Sequence, residues 1–353
     1  MNIVVIAAEV APWAKTGGLG DVCGALPKAL AARGHRVMTV CPRYKDYPDA
    51  WDTGVRAQIF LFGMAHEVRY YHSLRDGVHH LFVDHPSFHR PGIYGDSTGA
   101  YGDNLFRFAL LSRAALEAPL RVPLEGSVFG EEVVFHANDW HTALVPVYLD
   151  AIYRTAGRFS RAGTVLGLHN LGHHGSSAAH DFAGLDLSTR WWPTLDFHGN
   201  VNLLKAGIVS AKRLVAVSPT YARQITQDHG FGLEGLLHWR RQELVGILNG
   251  IDDTWNPATD PHIAARYSPE DLSGKAACKA AIQQELRLPV RPDVPVLGLV
   301  ARLDYQKGID LVRAITPALM RHDVQLVVLG SGSKEYAEFF QQAAQRWSNR
   351  VGV

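Results

Sequence analysis

Ile3-Val4-Val5-Ile6-Ala7-Ala8 is a short unbroken apolar run, the pattern of a strand covered on both faces. Lys15-Thr16-Gly17-Gly18-Leu19-Gly20-Asp21 follows, and then Val22, Ala25-Leu26 and Ala29-Leu30 recur at helical spacing as far as Gly34. Val37-Met38-Thr39-Val40 reads as the next strand. A strand, a glycine turn, a helix and a second strand in this order confine the opening of the chain to the α/β class, with a parallel sheet and crossover helices. The alternation continues, with apolar strand candidates at 78–84, 133–137, 163–169, 213–217, 294–301 and 325–330 separated by helical patterns. No internal repeat or low-complexity tract interrupts it.

The opening turn also bears on function. It places main-chain N–H groups and the positive end of a helix where an anion can sit, and Lys15 adds a point charge. It is neither a Walker loop, since no Gly-Lys-Ser/Thr is present, nor the dinucleotide fingerprint Gly-x-Gly-x-x-Gly. A second reading stands beside the anion site: Gly17, Gly18 and Gly20 only let the chain reverse tightly, with Lys15 solvated.

At 353 residues the chain exceeds one ordinary core, and two domains are expected. Hydrophobic residues make up 47%, enough for a sizeable interior, and the formal net charge is +1, which offers no nucleic-acid surface and no attraction to anionic membranes. No apolar run reaches the length of a membrane span, and Glu9 interrupts the only N-terminal stretch that resembles a leader. Cys23, Cys41 and Cys278 are widely spaced, which suggests neither a disulfide framework nor a thiolate metal site and fits a reducing compartment.

The turn-rich segment 248–257, with Asn249-Gly250, Asp252-Asp253 and Asn256-Pro257, is the expected boundary between a domain over 1–257 and a linker plus second domain over 258–353. Pro289-Val290-Arg291-Pro292-Asp293 precedes a fresh βαβ start. From there the pattern predicts strand, helix (308–320), strand, helix (335–347) and the opening of a third strand at Val351-Gly352-Val353. A two-stranded sheet leaves an edge open, so the second domain reads as incomplete.

Four polar segments fall at strand ends, where open α/β sheets bind ligands. In His136-Ala137-Asn138-Asp139-Trp140-His141, two histidines and a carboxylate suit a metal; alternatively His136 is a packed core residue and Asp139 caps a helix starting at Trp140. His169-Asn170-Leu171-Gly172-His173-His174-Gly175 suits a site where backbone approaches a ligand, or a plain exposed turn. Arg302 closes a strand and Lys307 precedes a helix, a pair able to clamp a diphosphate. Leu329-Gly330-Ser331-Gly332-Ser333 is a further loop whose amides could take phosphate. Taken together, the four loops in two α/β domains point to a nucleotide-linked ligand in an interdomain cleft.

From Lys15 through Pro27 the chain resembles bacterial glycogen synthases and plant starch synthases. The likeness runs on through His85–Pro91, Gly102–Phe108, Asn138–His141, His169–Leu171, Val217–Tyr221, Leu248–Asp252 and Arg302–Gly308. Ala11-Pro12-Trp13 and Asp304-Tyr305 look more like the soluble starch synthases of plants and algae. The resemblance implies a retaining glucosyltransferase of GT-B fold, with two Rossmann-like domains about a cleft. ADP-glucose is the implied donor and an α-1,4-glucan the acceptor, with no cofactor and no metal. It places the protein in the plastid (chloroplast or amyloplast stroma) if the source is a plant or alga, and in the cytoplasm if bacterial.

By the same resemblance Lys15 contacts the donor, and Gly17 and Gly18 let main chain approach it. His169 and Asn249 meet the transferred sugar, while Arg302 and Lys307 neutralise the diphosphate. Asp21, Asp139 and Asn170 line the site. The family's C-terminal glutamate and its Glu-x-x-Gly-Leu loop match nothing before Val353, so the segment alone is expected to elongate glucan poorly. Gly172-His173-His174 departs from the family's usual small residue followed by His-Gln or Tyr-Gln. A catalytically silent, glucan-associated relative is the alternative function; a nucleotide-dependent oxidoreductase is disfavoured by the missing fingerprint.

Overall fold

Val4, Val5 and Ile6 lie at the centre of a nine-stranded sheet with no exposed surface. The computed structural model describes residues 1–96, 99–251 and 255–353. Asp252 and Asp253 of the turn-rich segment therefore lie outside the described residues. Two compact units emerge, Met1–Gly250 and Ile251–Val353, and the division falls within the 248–257 break.

In the first unit β1 (Asn2–Ile6) is followed by α1 (Gly18–Ala32), β2 (Arg36–Pro42), β3 (Trp51–Leu61), β4 (Met64–Arg75) and β5 (Val78–Asp84). Next come α2 (Asn104–Arg121), β6 (Val133–Asn138), β7 (Gly163–Leu168), α3 (Leu203–Ser210), β8 (Arg213–Ala216) and β9 (Leu244–Gly246). The strand order is β9-β8-β7-β6-β1-β2-β5-β4-β3. From β9 to β5 every pairing is parallel, as the apolar runs predict. β4 and β3 add an antiparallel edge that the search for unbroken apolar runs does not find.

These two strands alternate instead of running apolar throughout. Ala57, Ile59, Leu61, Val68 and Tyr70 are buried, while Phe60 and Met64 are exposed. Their turns use Phe62-Gly63 and Asp76-Gly77, with both central residues of each at positive φ (50° and 77°; 52° and 74°). That is the two-residue geometry whose twist matches antiparallel strands. α2 packs against this edge with Phe108, Leu110, Leu111 and Leu116 fully buried, each worth roughly 1.5–3 kcal/mol of apolar transfer. Tyr70 Oη donates to the Ala114 carbonyl at 2.8 Å.

Arg107, in the first turns of α2, is wholly buried. Its guanidinium donates to Ser87 O (3.0 Å), Ile93 O (2.9 Å) and Asn104 Oδ1 (2.6 Å). A buried cation is tolerated only when so bonded, and here it gathers the loop that presents Tyr94.

The second unit holds α4 (Gly274–Glu285), β10 (Val296–Val300), α5 (Ile309–Leu319), β11 (Gln325–Leu329), α6 (Lys334–Arg346) and β12 (Val351–Gly352). Its parallel sheet runs β10-β11-β12, so the expected third strand is present. Leu303, Ile309, Met320, Leu326, Val328, Phe340, Ala343 and Val351 form its core. Among the described residues no helix is long and apolar enough to cross a membrane.

Candidate active site

The glycine turn is organised by a residue that sequence reasoning treated only as an interruption. Glu9 is 3% exposed. Its Oε2 accepts from the amides of Thr16 (2.5 Å) and Gly17 (3.2 Å); its Oε1 accepts from Thr16 Oγ1 (2.7 Å) and Tyr94 Oη (2.5 Å). A carboxylate can accept from four donors at once, which explains a charge inside an apolar run. Burial and the Glu9 carboxylate hold the Tyr94 phenol well above its ordinary pKa, so Tyr94 remains a donor. Its ring stacks on His141 at 4.7 Å.

The three glycines then separate into two classes. A Cβ at Gly20 would lie 3.2 Å from Ala14 O, Glu9 Oε2 and Lys15 Cα, and at Gly24 one would lie 2.8 Å from Ala11 O. One helical turn apart, both let α1 ride close on residues 11–15. Gly17 and Gly18 have nothing within 4 Å of where a Cβ would project. Gly17 is extended at φ −164°, and Gly18 is not among the positive-φ residues. The tight-reversal reading therefore accounts for Gly20 and not for Gly17 or Gly18. These two leave an open cradle at the N-terminus of α1, whose first-turn amides have no intrahelical acceptors. Lys15 Nζ sits 2.6 Å from Asp21 Oδ1, both side chains being about two-fifths exposed. Such a pair is weak, and an incoming anion can draw Lys15 from it.

β6 and β7 are neighbours with Asn138 opposite Gly167, and the next residues of each meet beyond the sheet. Asp139 does not cap the short 3-10 turn from Trp140 to Thr142, contrary to the sequence reading. Its Oδ1 accepts from the amides of His169 (2.7 Å) and Asn170 (3.3 Å), while its own amide donates to Gly167 O (2.9 Å). Asp139 occupies φ 56°, ψ −173°, a region almost reserved for glycine, and the three cross-strand bonds hold it there. Burial outweighs those two amides and pushes its carboxyl up to about 7.

His169 Nε2 lies 3.0 Å from Asn138 Oδ1. Burial takes His169 down to about 4, and burial together with neighbouring His169 does the same to His136. Both rings are therefore neutral at physiological pH. A Cβ at Gly167 would meet Asn138 Oδ1 at 2.8 Å, His169 Nε2 at 3.2 Å and His136 Nε2 at 3.3 Å, so glycine is required beneath this cluster. Among the described residues no group of three or more His, Cys, Asp or Glu side chains is placed to hold a metal. His174, which departs from the family pattern, is tied to Asn202, the residue that caps α3.

In the second unit Arg302 follows β10, and its Nη1 lies 3.3 Å from Asp304 Oδ2. Asp304 Oδ1 accepts from the Lys307 amide at 3.2 Å, closing the turn before α5. In the loop 330–333, Cβ atoms at Gly330 and Gly332 would meet Ala301 O at 2.0 Å and Leu303 O at 2.6 Å. Ser331 O and the Ser333 amide bond to Leu303. Its glycines serve close backbone packing, which fixes the chain leaving Arg302.

Lys15 and Asp21 are thus brought together, as are Asp139, His169 and Asn170, and Glu9 acts electrostatically on both His169 and Asp139. Asn249 is exposed beyond β9, at the end of the first unit. Asn138 and His141 stood in the 136–141 segment, His141 as a metal candidate and Asn138 without a role of its own, whereas sequence reasoning missed Glu9 and Tyr94. Of those two only Glu9 carried a signal, as the lone charge in the 3–10 run.

The starch synthase catalytic domain family matches residues 2–239. Soluble starch synthase 1, chloroplastic/amyloplastic, from Solanum tuberosum is 49% identical over 99% of this chain and 58% of its own length. Starch synthase 1, chloroplastic/amyloplastic, from Arabidopsis thaliana is 48% identical over 99% and 57%. The chain thus spans somewhat more than half the length of the curated relatives it matches. Among solved structures, the catalytic domain of starch synthase IV from Arabidopsis thaliana bound to ADP and acarbose superposes with a TM-score of 0.87 at 31% identity, covering 99% of this chain and 73% of that one. With its α/β units and these relatives, the chain belongs to the starch synthase catalytic domain family, of GT-B fold.

Proposed function

We propose that the protein transfers glucose from ADP-glucose to the non-reducing 4-hydroxyl of an α-1,4-glucan, retaining the α configuration. The observation that carries this reading is the open cradle of Gly17 and Gly18 at the head of α1, braced by Glu9 and flanked by Lys15. It suits a phosphate far better than it suits a simple turn. That a related catalytic domain is named as bound to ADP and acarbose, and that similar proteins are named starch synthases, supports the nucleotide and the glucan.

As ADP departs, negative charge builds on the diphosphate while the sugar gains oxocarbenium character. Lys15, Arg302 and Lys307 are assigned to that charge, the α1 amides to a phosphate oxygen, and neutral His169 and Asn249 to the hexose. Asp21, Asp139 and Asn170 shape the surroundings. Fixed charges aimed at developing charge need no reorganisation during the step. The reading assigns no cofactor and no metal. The plastid names of the relatives place the reaction in a plastid for a plant or algal source.

Donor-competition kinetics on the full-length enzyme test this directly. ADP-glucose should outcompete UDP-glucose in glucan elongation, and Lys15→Ala should lower kcat/KM for the donor by about 10–100-fold. Gly17→Val should leave the melting temperature unchanged, because its backbone suits any residue and its Cβ meets no atom. Its donor KM should nevertheless rise about tenfold or more as the cradle fills. Wild-type kinetics in both variants would show that the turn does not hold the donor.

A further inference from the structure

We infer that Asn138 is a positioning residue that locks His169 as its Nε2–H tautomer, making Nδ1 an obligate hydrogen-bond acceptor for a hydroxyl of the bound hexose. The inference deepens the proposed function and rests on it for the hexose, though not for the tautomer.

The argument starts at the Asn138 amide, which has no exposed surface. Its Nδ2 faces two main-chain carbonyls, Ile6 O at 3.1 Å and His136 O at 3.2 Å. Carbonyl oxygens only accept, so the NH2 end of the amide must point at them and the orientation is settled by chemistry. Oδ1 is then the atom 3.0 Å from His169 Nε2. An amide oxygen cannot donate, so Nε2 carries the proton. In a neutral imidazole the other nitrogen then holds a bare lone pair.

His169 Nδ1 makes no hydrogen bond with any described residue, and it is not among the solvent-shielded orphan atoms. Water or a ligand can therefore reach it. The main chain at His169 is held by Asp139 Oδ1, so Asn138, the last residue of β6, and Asp139, which follows it, clamp both ring and backbone. Gly167 leaves the room that the ring needs, since any side chain there would strike both partners. The arrangement cannot donate to a sugar oxygen. It can only take a hydrogen bond from an O–H, and a hexose offers hydroxyls of that kind.

The tautomer is read by long-range 1H–15N correlation on the chain labelled with 15N-histidine, the His169 signals being assigned by their loss in His169→Gln. At pH 7.5 we expect a protonated Nε2 and an unprotonated Nδ1. A protonated Nδ1, or one averaged signal, overturns the inference. Asn138→Leu should convert the pair to exchange-averaged signals while other histidines keep their shifts; a retained pure Nε2–H tautomer shows that Asn138 does not set it.

The unmodified full-length enzyme supplies a measurement free of folding questions. ADP-glucose analogues with one hydroxyl replaced by hydrogen or by fluorine compete for binding, affinity being read because fluorine slows sugar transfer electronically. Fluorine accepts but does not donate. At one position both analogues should bind about 10–100-fold more weakly, to the same extent, and His169→Ala should abolish that difference. If fluorine restores affinity there, His169 is a donor and the inference fails. If no position depends on His169 while the spectrum shows Nε2–H, the tautomer stands and the sugar contact in the proposed function is wrong.

Discussion

Arg302→Ala is expected to lower ADP-glucose-dependent glucan elongation by about 10²–10³-fold, the range seen when one donor to developing negative charge is removed. The melting temperature should not move. Arg302 is about half exposed, with a side-chain accessibility of 54%, and its partner Asp304 keeps its other bond, to the Lys307 amide, when Arg302 is removed. An exposed pair of this kind contributes at most about 1 kcal/mol to folding. Arg302→Lys should fall between wild type and alanine, because an ammonium keeps the charge but not the planar fork that spans two phosphate oxygens. Lys307→Ala should cost less than Arg302→Ala, and the double variant less than the product of the two, since both are assigned to one leaving group. Steady-state kcat/KM for the donor, measured beside thermal unfolding, decides it. Activity and stability falling together would mark Arg302 as structural and withdraw its role.

The parts of the fold written in unbroken apolar runs were legible, because a strand buried on both faces must be apolar throughout. β3 and β4 were not found by that test, being wet on one face, although Asp76-Gly77 already carried the chemistry of the turn from β4 to β5. Lys15, Gly17 and Gly18 were legible as a turn that could take an anion, yet the carboxylate that shapes it has one partner 85 positions away in sequence, Tyr94. No local pattern encodes that distance. Asp139 was misread for the same reason. A cap is a local inference, and its partners lie thirty positions on, at the end of the adjacent strand. The glycines at 330 and 332 answer to backbone packing against Ala301 and Leu303, a requirement that no local pattern shows. Residue types at strand ends locate a site; which of them touch one another is decided by strand order, and that is a property of the whole sheet.

Acid should unfold this protein cooperatively near pH 5, well above the range in which ordinary carboxylates are neutralised. Burial, helped by neighbouring His79 for His72 and by His72 for His80, depresses His72, His80, His136 and His169 from 6.5 to about 4. A depressed base stays neutral in the folded state while the unfolded chain already takes up protons. Its contribution is therefore full above pH 6.5 and is lost as the pH falls toward 4. A tenfold change in proton affinity is worth about 1.4 kcal/mol, so His136 and His169 alone account for roughly 3 kcal/mol each at face value, less where water reaches the ring edges. Against a total stability of about 5–15 kcal/mol, that loss suffices. Asp139 works in the other direction. Its carboxyl is raised from 3.8 to about 7, so its contribution is present below 3.8 and is lost as the pH rises through 7. Asp139→Asn keeps an oxygen for the amides of His169 and Asn170 but removes the buried charge. The variant should be more stable than wild type at pH 8, and that advantage should shrink steadily as the pH falls toward 4. Urea unfolding at half-unit steps from pH 4.5 to 8 separates the two effects. A flat profile between pH 7 and 5 would mean the imidazoles are already wet, and with them the neutral His169 that the proposed sugar contact requires.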